Sequence, residues 1–278
     1  MKLQELFSET YDFLLTNQVN SPQLQAESIL VHVLSCSRGD QVDSDTELVI
    51  TEEEKKRVQM LAASRVELTP MEYFRKPLNF AGIQVRCSPK ASIPRPDTEV
   101  LVDLTVRHLK NEPTGRIYDV GTGVGAIALA LAKQLDDWEI VGMDITMGCL
   151  MVAHLNTEQF LPEAKDRIRW ELYNLLDEVE KEAECVVANL PYVCSENLEC
   201  DEGEISADPK EGLDGGEDGL DLIRKVIPQA ASLSPRLFLE VGPLQAESVA
   251  ELMTQAGYER VEVFKDFQSR ERFVFGFQ

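Results

Sequence analysis

The sequence predicts an α/β chain: a mostly parallel, doubly wound sheet of seven strands with an antiparallel edge strand, preceded by a small all-α domain. Three observations predict it. Apolar residues recur at helical spacing through the first third of the chain. From residue 116 onward short apolar strands alternate with helices, the pattern of right-handed β–α–β crossovers. The last two strands are separated only by a short turn, which lets them pair antiparallel at one edge.

The elements follow in order. Leu3, Leu6, Phe7, Tyr11 and Leu14 form the apolar face of a first helix. Ser21-Pro22 reads as an N-cap followed by proline at the first helical position, where a missing N–H is no loss. Ala26, Ile29, Leu30, Val33 and Leu34 then make one stripe. Thr51 and Glu54 have capping-box spacing at the head of a third helix through Val58, Leu61 and Ala62. These helices define a domain over residues 1–75. Residues 76–98 read as a linker, in which Phe80, Ile83, Val85 and Cys87 suggest a short hairpin. Ile93-Pro94-Arg95-Pro96-Asp97-Thr98-Glu99 is turn-rich and leads into a helix near residues 100–109. Within the remaining domain, residues 99–278, strands are predicted at 117–120, 140–144, 168–172, 185–188, 237–241, 261–264 and 273–277. Helices are predicted near 125–134, 147–159, 217–232 and 245–256.

Composition narrows the function. A chain of 278 residues accommodates two domains, and 44% hydrophobic content supplies a core. Forty-nine acidic residues against 27 basic ones give a formal charge of −22, which repels phosphate backbones and favours a protein or small-molecule partner. Cys36, Cys87, Cys149, Cys185, Cys194 and Cys200 form no C-x-x-C pair and no zinc spacing, so free thiols in a reducing cytosol are expected. His32, His108 and His154 are scattered, which suggests neither a metal site nor a His-dependent triad. Glu5, Glu9 and Asp12 break up the first apolar residues, so no signal peptide is read there, and no uncharged apolar run approaches a membrane span. The expectation is a cytoplasmic monomer without metal, membrane or nucleic-acid partner. The acidic runs Glu52-Glu53-Glu54 and residues 199–204 read as solvated faces, the second near a substrate entrance.

Asp119-Val120-Gly121-Thr122-Gly123-Val124-Gly125 follows a strand and opens a helix. Gly121 and Gly123 allow a tight turn and close approach to a ligand, and Gly125 lets the helix pack. Asp144 ends the next strand about 20 residues on, where a carboxylate can accept hydrogen bonds from ribose hydroxyls. A nicotinamide site or a plain tight turn would share the glycines. The acidic residue before the first glycine suits a cationic sulfonium nucleoside better than a pyrophosphate.

The second constellation is Asn189-Leu190-Pro191-Tyr192, directly after a strand and therefore at the carboxyl end of the sheet. An amide or exocyclic amino nitrogen is a poor nucleophile because its lone pair is delocalised. A site can accept both of its N–H hydrogens, from the Asn189 side-chain oxygen and the Leu190 carbonyl, and hold the nitrogen in line with a methyl group. Tyr192 offers an aromatic face to a planar group or a cation. An Asn-x-Pro turn is the plain alternative. The same logic serves an adenine amine, so a nucleic-acid adenine-N6 methyltransferase is the alternative activity; a binding module that kept the fold without the chemistry is a third.

These segments together resemble the HemK/PrmC family, the peptide chain release factor glutamine methyltransferases. Residues 93–99 are similar to I-P-R-P-E-T-E, and residues 119–130 to D-L-G-T-G-S-G-A-I-A-L-A. Asp208-Pro209-Lys210-Glu211-Gly212-Leu213-Asp214-Gly215-Gly216, with Asp218-Gly219-Leu220, resembles the family's E-P-x-x-A-L-x-G-G segment. Leu239-Glu240-Val241-Gly242 with Gln245, and Asp266 with Arg272, also match. The resemblance implies a Rossmann-like class I methyltransferase domain behind a helical substrate-binding domain. It implies methylation of the side-chain amide nitrogen (N5) of the glutamine in a release factor's Gly-Gly-Gln motif. The cofactor would be S-adenosyl-L-methionine, leaving as S-adenosyl-L-homocysteine, bound by Asp119, Gly121, Thr122, Gly123, Val124, Gly125, Asp144, Asn174, Leu175 and Asn189. Asn189, Leu190, Pro191 and Tyr192 would hold the substrate, with Asn189 and Tyr192 catalytic. The chain departs from the family at Leu190, where proline is usual, at Asn174-Leu175, where Asp-Trp is common, and at Lys76, near a usual glycine.

Overall fold

A computed structural model describes residues 2–38, 49–66, 70, 73, 77–200 and 208–278. Lys76 and the acidic residues 201–204 lie outside the described residues. The chain divides into two compact units, Met1–Lys76 and Pro77–Gln278.

The first unit holds α1 (Leu3–Thr16), α2 (Pro22–Arg38) and α3 (Glu52–Val66). Their apolar stripes meet in one core of Leu6, Leu14, Ala26, Ile29, Leu30, Val33, Leu34, Val58, Leu61 and Ala62, with Leu3, Phe7 and Tyr11 partly buried against it. The capping box is present: Thr51 N donates to Glu54 Oε2 at 2.9 Å and Glu54 N to Thr51 Oγ1 at 3.2 Å. Ser21 differs from the expectation. Its φ of 51° is left-handed rather than the extended geometry of an N-cap. The connection from α1 turns on two left-handed residues, Gln18 and Ser21, to lay α2 against α1.

The second unit opens with the hairpin β1 (Leu78–Phe80) and β2 (Ile83–Val85), whose Phe80, Ile83 and Val85 are buried in its core. Then follow α4 (Thr98–Leu109), β3 (Arg116–Val120), α5 (Ala126–Gln134), β4 (Glu139–Asp144), α6 (Met147–Phe160), β5 (Ile168–Leu172), β6 (Cys185–Asn189), α7 (Ser195–Cys200), α8 (Asp221–Ala231), β7 (Arg236–Glu240), α9 (Ala246–Gln255), β8 (Arg260–Lys265) and β9 (Glu271–Phe277). The helix expected from residue 217 starts only at Asp221, because Gly216 and Gly219 are left-handed (φ 91° and 78°) and keep the preceding segment in a loop.

Seven strands form one sheet in the order β5-β4-β3-β6-β7-β9-β8. The pairings β5-β4, β4-β3, β3-β6 and β6-β7 are parallel, and β9 is antiparallel to both β7 and β8. The antiparallel pair lies at the edge, with the reversed strand as its inner member. Strands buried on both faces read as unbroken apolar runs: Cys185-Val186-Val187-Ala188 is fully buried. One core packs α4 and α5 on one face and another packs α8 and α9 on the other. This winding brings Asp119, Asp144, Asn189 and Glu240, the last or next-to-last residues of parallel strands, to one carboxyl edge.

Candidate active site

The loop after β3 is held by backbone. Gly121 N and Thr122 N both donate to the Met143 carbonyl, at 2.8 and 2.9 Å, which ties the loop to the end of β4. Gly125 is left-handed (φ 83°), and a Cβ there would lie 2.8 Å from the Trp170 ring and 3.0 Å from Ala153. Glycine is required both by the conformation and by the close approach of α6 and the Trp170 ring. The Val124 side chain is buried, so only its backbone can face a ligand.

Asp119 is wholly buried beneath this loop. Its Oδ2 accepts from Thr122 Oγ1 at 2.5 Å and from Ala128 N at 3.1 Å, whereas Oδ1 is buried with no hydrogen-bond partner among the described residues. Burial pushes the carboxyl up to about 7; the Thr122 hydroxyl and the Ala128 N–H pull it down, and Asp144 adds to the rise. A carboxylate with one unmet oxygen, near a second carboxylate, suits a cationic donor.

Asp144 at the end of β4 accepts a backbone N–H on each oxygen: Oδ2 from Gly123 at 3.0 Å and Oδ1 from Thr146 at 2.8 Å. Those bonds aim the carboxylate beside the glycine loop and leave further lone pairs for hydroxyl donors. Tyr173 N donates to the Asp144 carbonyl at 3.1 Å, so Asn174 and Leu175 leave β5 beside Asp144. Asn174 is exposed, and half-buried Leu175 has a left-handed φ of 55°. Two carboxylates, a glycine turn and this neighbouring backbone fit a sulfonium nucleoside.

The tetrapeptide leaves β6 next to this loop, Val120 pairing with Ala188. Buried Leu190 packs so closely over Gly121 that a Cβ there would lie 2.9 Å from it. Asn189 pairs in register with Glu240, and its Nδ2 donates to Thr98 Oγ1 at 3.0 Å. Pro191 is half-buried. The Tyr192 hydroxyl accepts from Arg272 Nη2 at 2.9 Å, and the Arg272 guanidinium carbon lies 5.1 Å from the ring centre. Arg272 also donates to Glu240 Oε1 at 3.0 Å, both residues being buried. Gln245 Nε2 donates to the Tyr192 carbonyl at 3.1 Å and to the Asp218 carbonyl at 3.2 Å. Gly215 N donates to the Val193 carbonyl and Val193 N to the Leu213 carbonyl, so the 208–220 segment folds onto the chain just after the tetrapeptide.

The sequence-predicted residues therefore gather on one edge. The spacing of residues around the two motifs did not identify Thr98, Glu240, Arg272 and Gln245 as supports of the tetrapeptide. Their only signal was that each falls in a segment that matched the family. Cys149 is buried near Asp144, its thiol pushed up to about 12, and donates to the Lys90 carbonyl at 3.0 Å. Among the described residues no group of His, Cys, Asp and Glu could hold a metal ion, and no helix is long and apolar enough to cross a membrane.

Comparison with known proteins places the chain among methyltransferases. Residues 98–203 match the methyltransferase small domain family, and residues 5–74 match the PrmC N-terminal domain. Release factor glutamine methyltransferase from Deinococcus radiodurans is 30% identical over 284 residues, covering 99% of this chain and 98% of the relative. The proteins of that name from Thermodesulfovibrio yellowstonii (31%, covering 89% and 90%) and Escherichia coli (29%, covering 92% and 92%) are similar. Among solved structures, the hMettl16 catalytic domain in complex with a 3′UTR hairpin aligns with a TM-score of 0.57 at 15% identity, covering 85% of this chain and 86% of that one. A methyltransferase from Pyrococcus furiosus aligns at 0.52 and 14% identity, covering 70% and 89%. These two share the fold.

Proposed function

This chain belongs to the release factor glutamine methyltransferases, and from that premise we propose how its residues carry the reaction. It transfers a methyl group from S-adenosylmethionine to a glutamine of peptide chain release factors. The acceptor in this reading is the side-chain amide nitrogen of the Gly-Gly-Gln glutamine. When bound, the cofactor supplies an electrophilic methyl group on a cationic sulfur.

The chain's own residues position rather than activate. Asp119, with its unmet Oδ1, and Asp144 favour the cationic nucleoside, and residues 121–125 shape its seat. Asn174 and Leu175 border the same seat beside Asp144. Asn189 Oδ1 and the Leu190 carbonyl accept the two amide hydrogens, which fixes the nitrogen without deprotonating it. Pro191 and the Tyr192 ring wall the planar amide. The single observation that carries this is the Asn189 side chain: its Nδ2 is spent on Thr98, so Oδ1 is the end left to accept. The helical unit binds the substrate protein, a role supported by its match to the PrmC N-terminal domain. The enzyme acts as a cytoplasmic monomer on protein rather than nucleic acid, in keeping with its charge of −22.

Labelled cofactor, a release factor and its Gly-Gly-Ala counterpart test the reading. Label on the glutamine alone, located by mass spectrometry, is expected; equal labelling of both proteins rejects it. Asn189→Ala should lower kcat by about 100-fold while cofactor Kd changes by less than about threefold.

A further inference from the structure

We propose that Thr98 is a positioning residue: its hydroxyl, set between Asn189 and Glu240, fixes the Asn189 amide with Oδ1 toward the acceptor nitrogen. The inference rests on the reading of Asn189 given above.

The two ends of a side-chain amide are nearly identical in shape and opposite in chemistry, one accepting and one donating. Turned the wrong way, Asn189 would set its own N–H groups against those of the substrate amide. Shape does not choose between these orientations, so a hydrogen-bond partner of fixed polarity must. Thr98 is buried, and its Oγ1 lies 3.0 Å from Asn189 Nδ2. A hydroxyl carries a single proton and donates once.

In this proposal Glu240 is the acceptor of that proton. It is the register neighbour of Asn189 and is 1% exposed. Its Oε1 is taken by Arg272, and its Oε2 is buried with no hydrogen-bond partner among the described residues, an acceptor left open beside Asn189. Burial pushes the Glu240 carboxyl up, and the Thr98 hydroxyl leads the groups that oppose the rise, followed by the Arg272 charge. An ionised carboxylate only accepts. With its proton directed to Glu240, Thr98 has lone pairs alone to offer Asn189, which selects Nδ2 as the facing group. Arg272 Nη2 also bonds the Tyr192 hydroxyl, so both ends of the tetrapeptide refer to one buried ion pair.

The test uses the full-length enzyme with its release-factor substrate. Thr98→Val keeps the shape and removes the hydroxyl; Thr98→Ser keeps the hydroxyl. Thr98→Val is expected to lower kcat by about 100-fold, with KM for the release factor and Kd for S-adenosylmethionine within about threefold of wild type, and Thr98→Ser to restore kcat to within about threefold. Wild-type kcat in Thr98→Val overturns the proposal. So does an equal loss in both variants, or a loss confined to cofactor affinity. Melting temperatures establish that each variant folds. Glu240→Gln provides a second test, because a carboxamide can donate to Thr98 and release its polarity: reduced kcat is expected, and unchanged kcat overturns the relay. Full turnover in Asn189→Ala refutes the underlying reading, whereas an impaired Asn189→Ala beside a fully active Thr98→Val refutes this proposal alone.

Discussion

The loop after β3 and the tetrapeptide after β6 leave neighbouring parallel strands, with Val120 beside Ala188, yet they are held in different ways. The glycine loop is fixed by near neighbours: its N–H groups bond Met143, and Asp119 is gripped by Thr122 and Ala128. The tetrapeptide is fixed by side chains brought from far along the chain: Thr98 from α4, Glu240 from β7, Arg272 from β9 and Gln245 before α9. Both leave a buried carboxylate oxygen without a hydrogen bond among the described residues, Asp119 Oδ1 and Glu240 Oε2, but only the second sets a cation, Arg272, against its carboxylate. A seat for a cation benefits from leftover negative charge. A seat for a neutral amide benefits from rigid polarity.

Three substitutions break or sharpen this contrast. Arg272→Leu should have the largest effect, because it strands Glu240 as an uncompensated buried charge; a loss of about 3–5 kcal/mol is expected in urea unfolding. A loss near zero would mean that the ion pair does not brace the tetrapeptide half.

Asp119→Asn should act in the opposite direction on stability. The folded pKa of Asp119 is raised to about 7 from an ordinary value of 3.8, so the native state holds the proton more tightly than the unfolded chain does. The carboxyl therefore costs stability progressively as pH rises through that window, and the full cost is present above about 7. Relative to wild type, Asp119→Asn should gain a few kcal/mol between pH 4 and pH 8, read from paired urea titrations, while its affinity for S-adenosylmethionine falls by about tenfold. A pH-independent difference would show that Asp119 ionises in the folded protein as readily as in the unfolded chain.

Thr51→Ala should have the smallest effect, about 1 kcal/mol from the lost cap of α3, seen as a lower melting temperature. Its kcat on a glutamine peptide should equal that of wild type. A fall in kcat would show that the helical unit's cap matters to chemistry at the carboxyl edge.

The same contrast explains what was legible in the sequence. The glycine loop, its strand, its helix and Asp144 lie within one β–α–β stretch, so spacing alone conveys their geometry. The tetrapeptide could be read as a strand end with amide chemistry. Its supports could not, because the sequence separations of 91 from Thr98 to Asn189 and 80 from Tyr192 to Arg272 are closed by sheet topology, not by local pattern. Ser21 and Leu175 show a further limit. Both adopt left-handed backbone that residue type does not signal, set by how the elements around them must connect.

The stretch from Arg86 to Thr98 visits both halves. Asn156 takes the Arg86 N–H at 2.9 Å and gives its own amide hydrogens to the Arg86 and Val124 carbonyls. Ser92 then bonds the Gly212 carbonyl, Arg95 pairs with Asp208, and Thr98 receives Asn189. One continuous piece of backbone is thus clamped to the glycine loop at its start and to the tetrapeptide at its end. In engineering terms it is a gauge bar. Two seats mounted on separate strands would each add their own positional error, but seats referred to a common bar share it. In the transfer proposed above, where a displacement of about 1 Å can cost about 100-fold in rate, the fixed length of that bar would set the tolerance within which donor and acceptor meet.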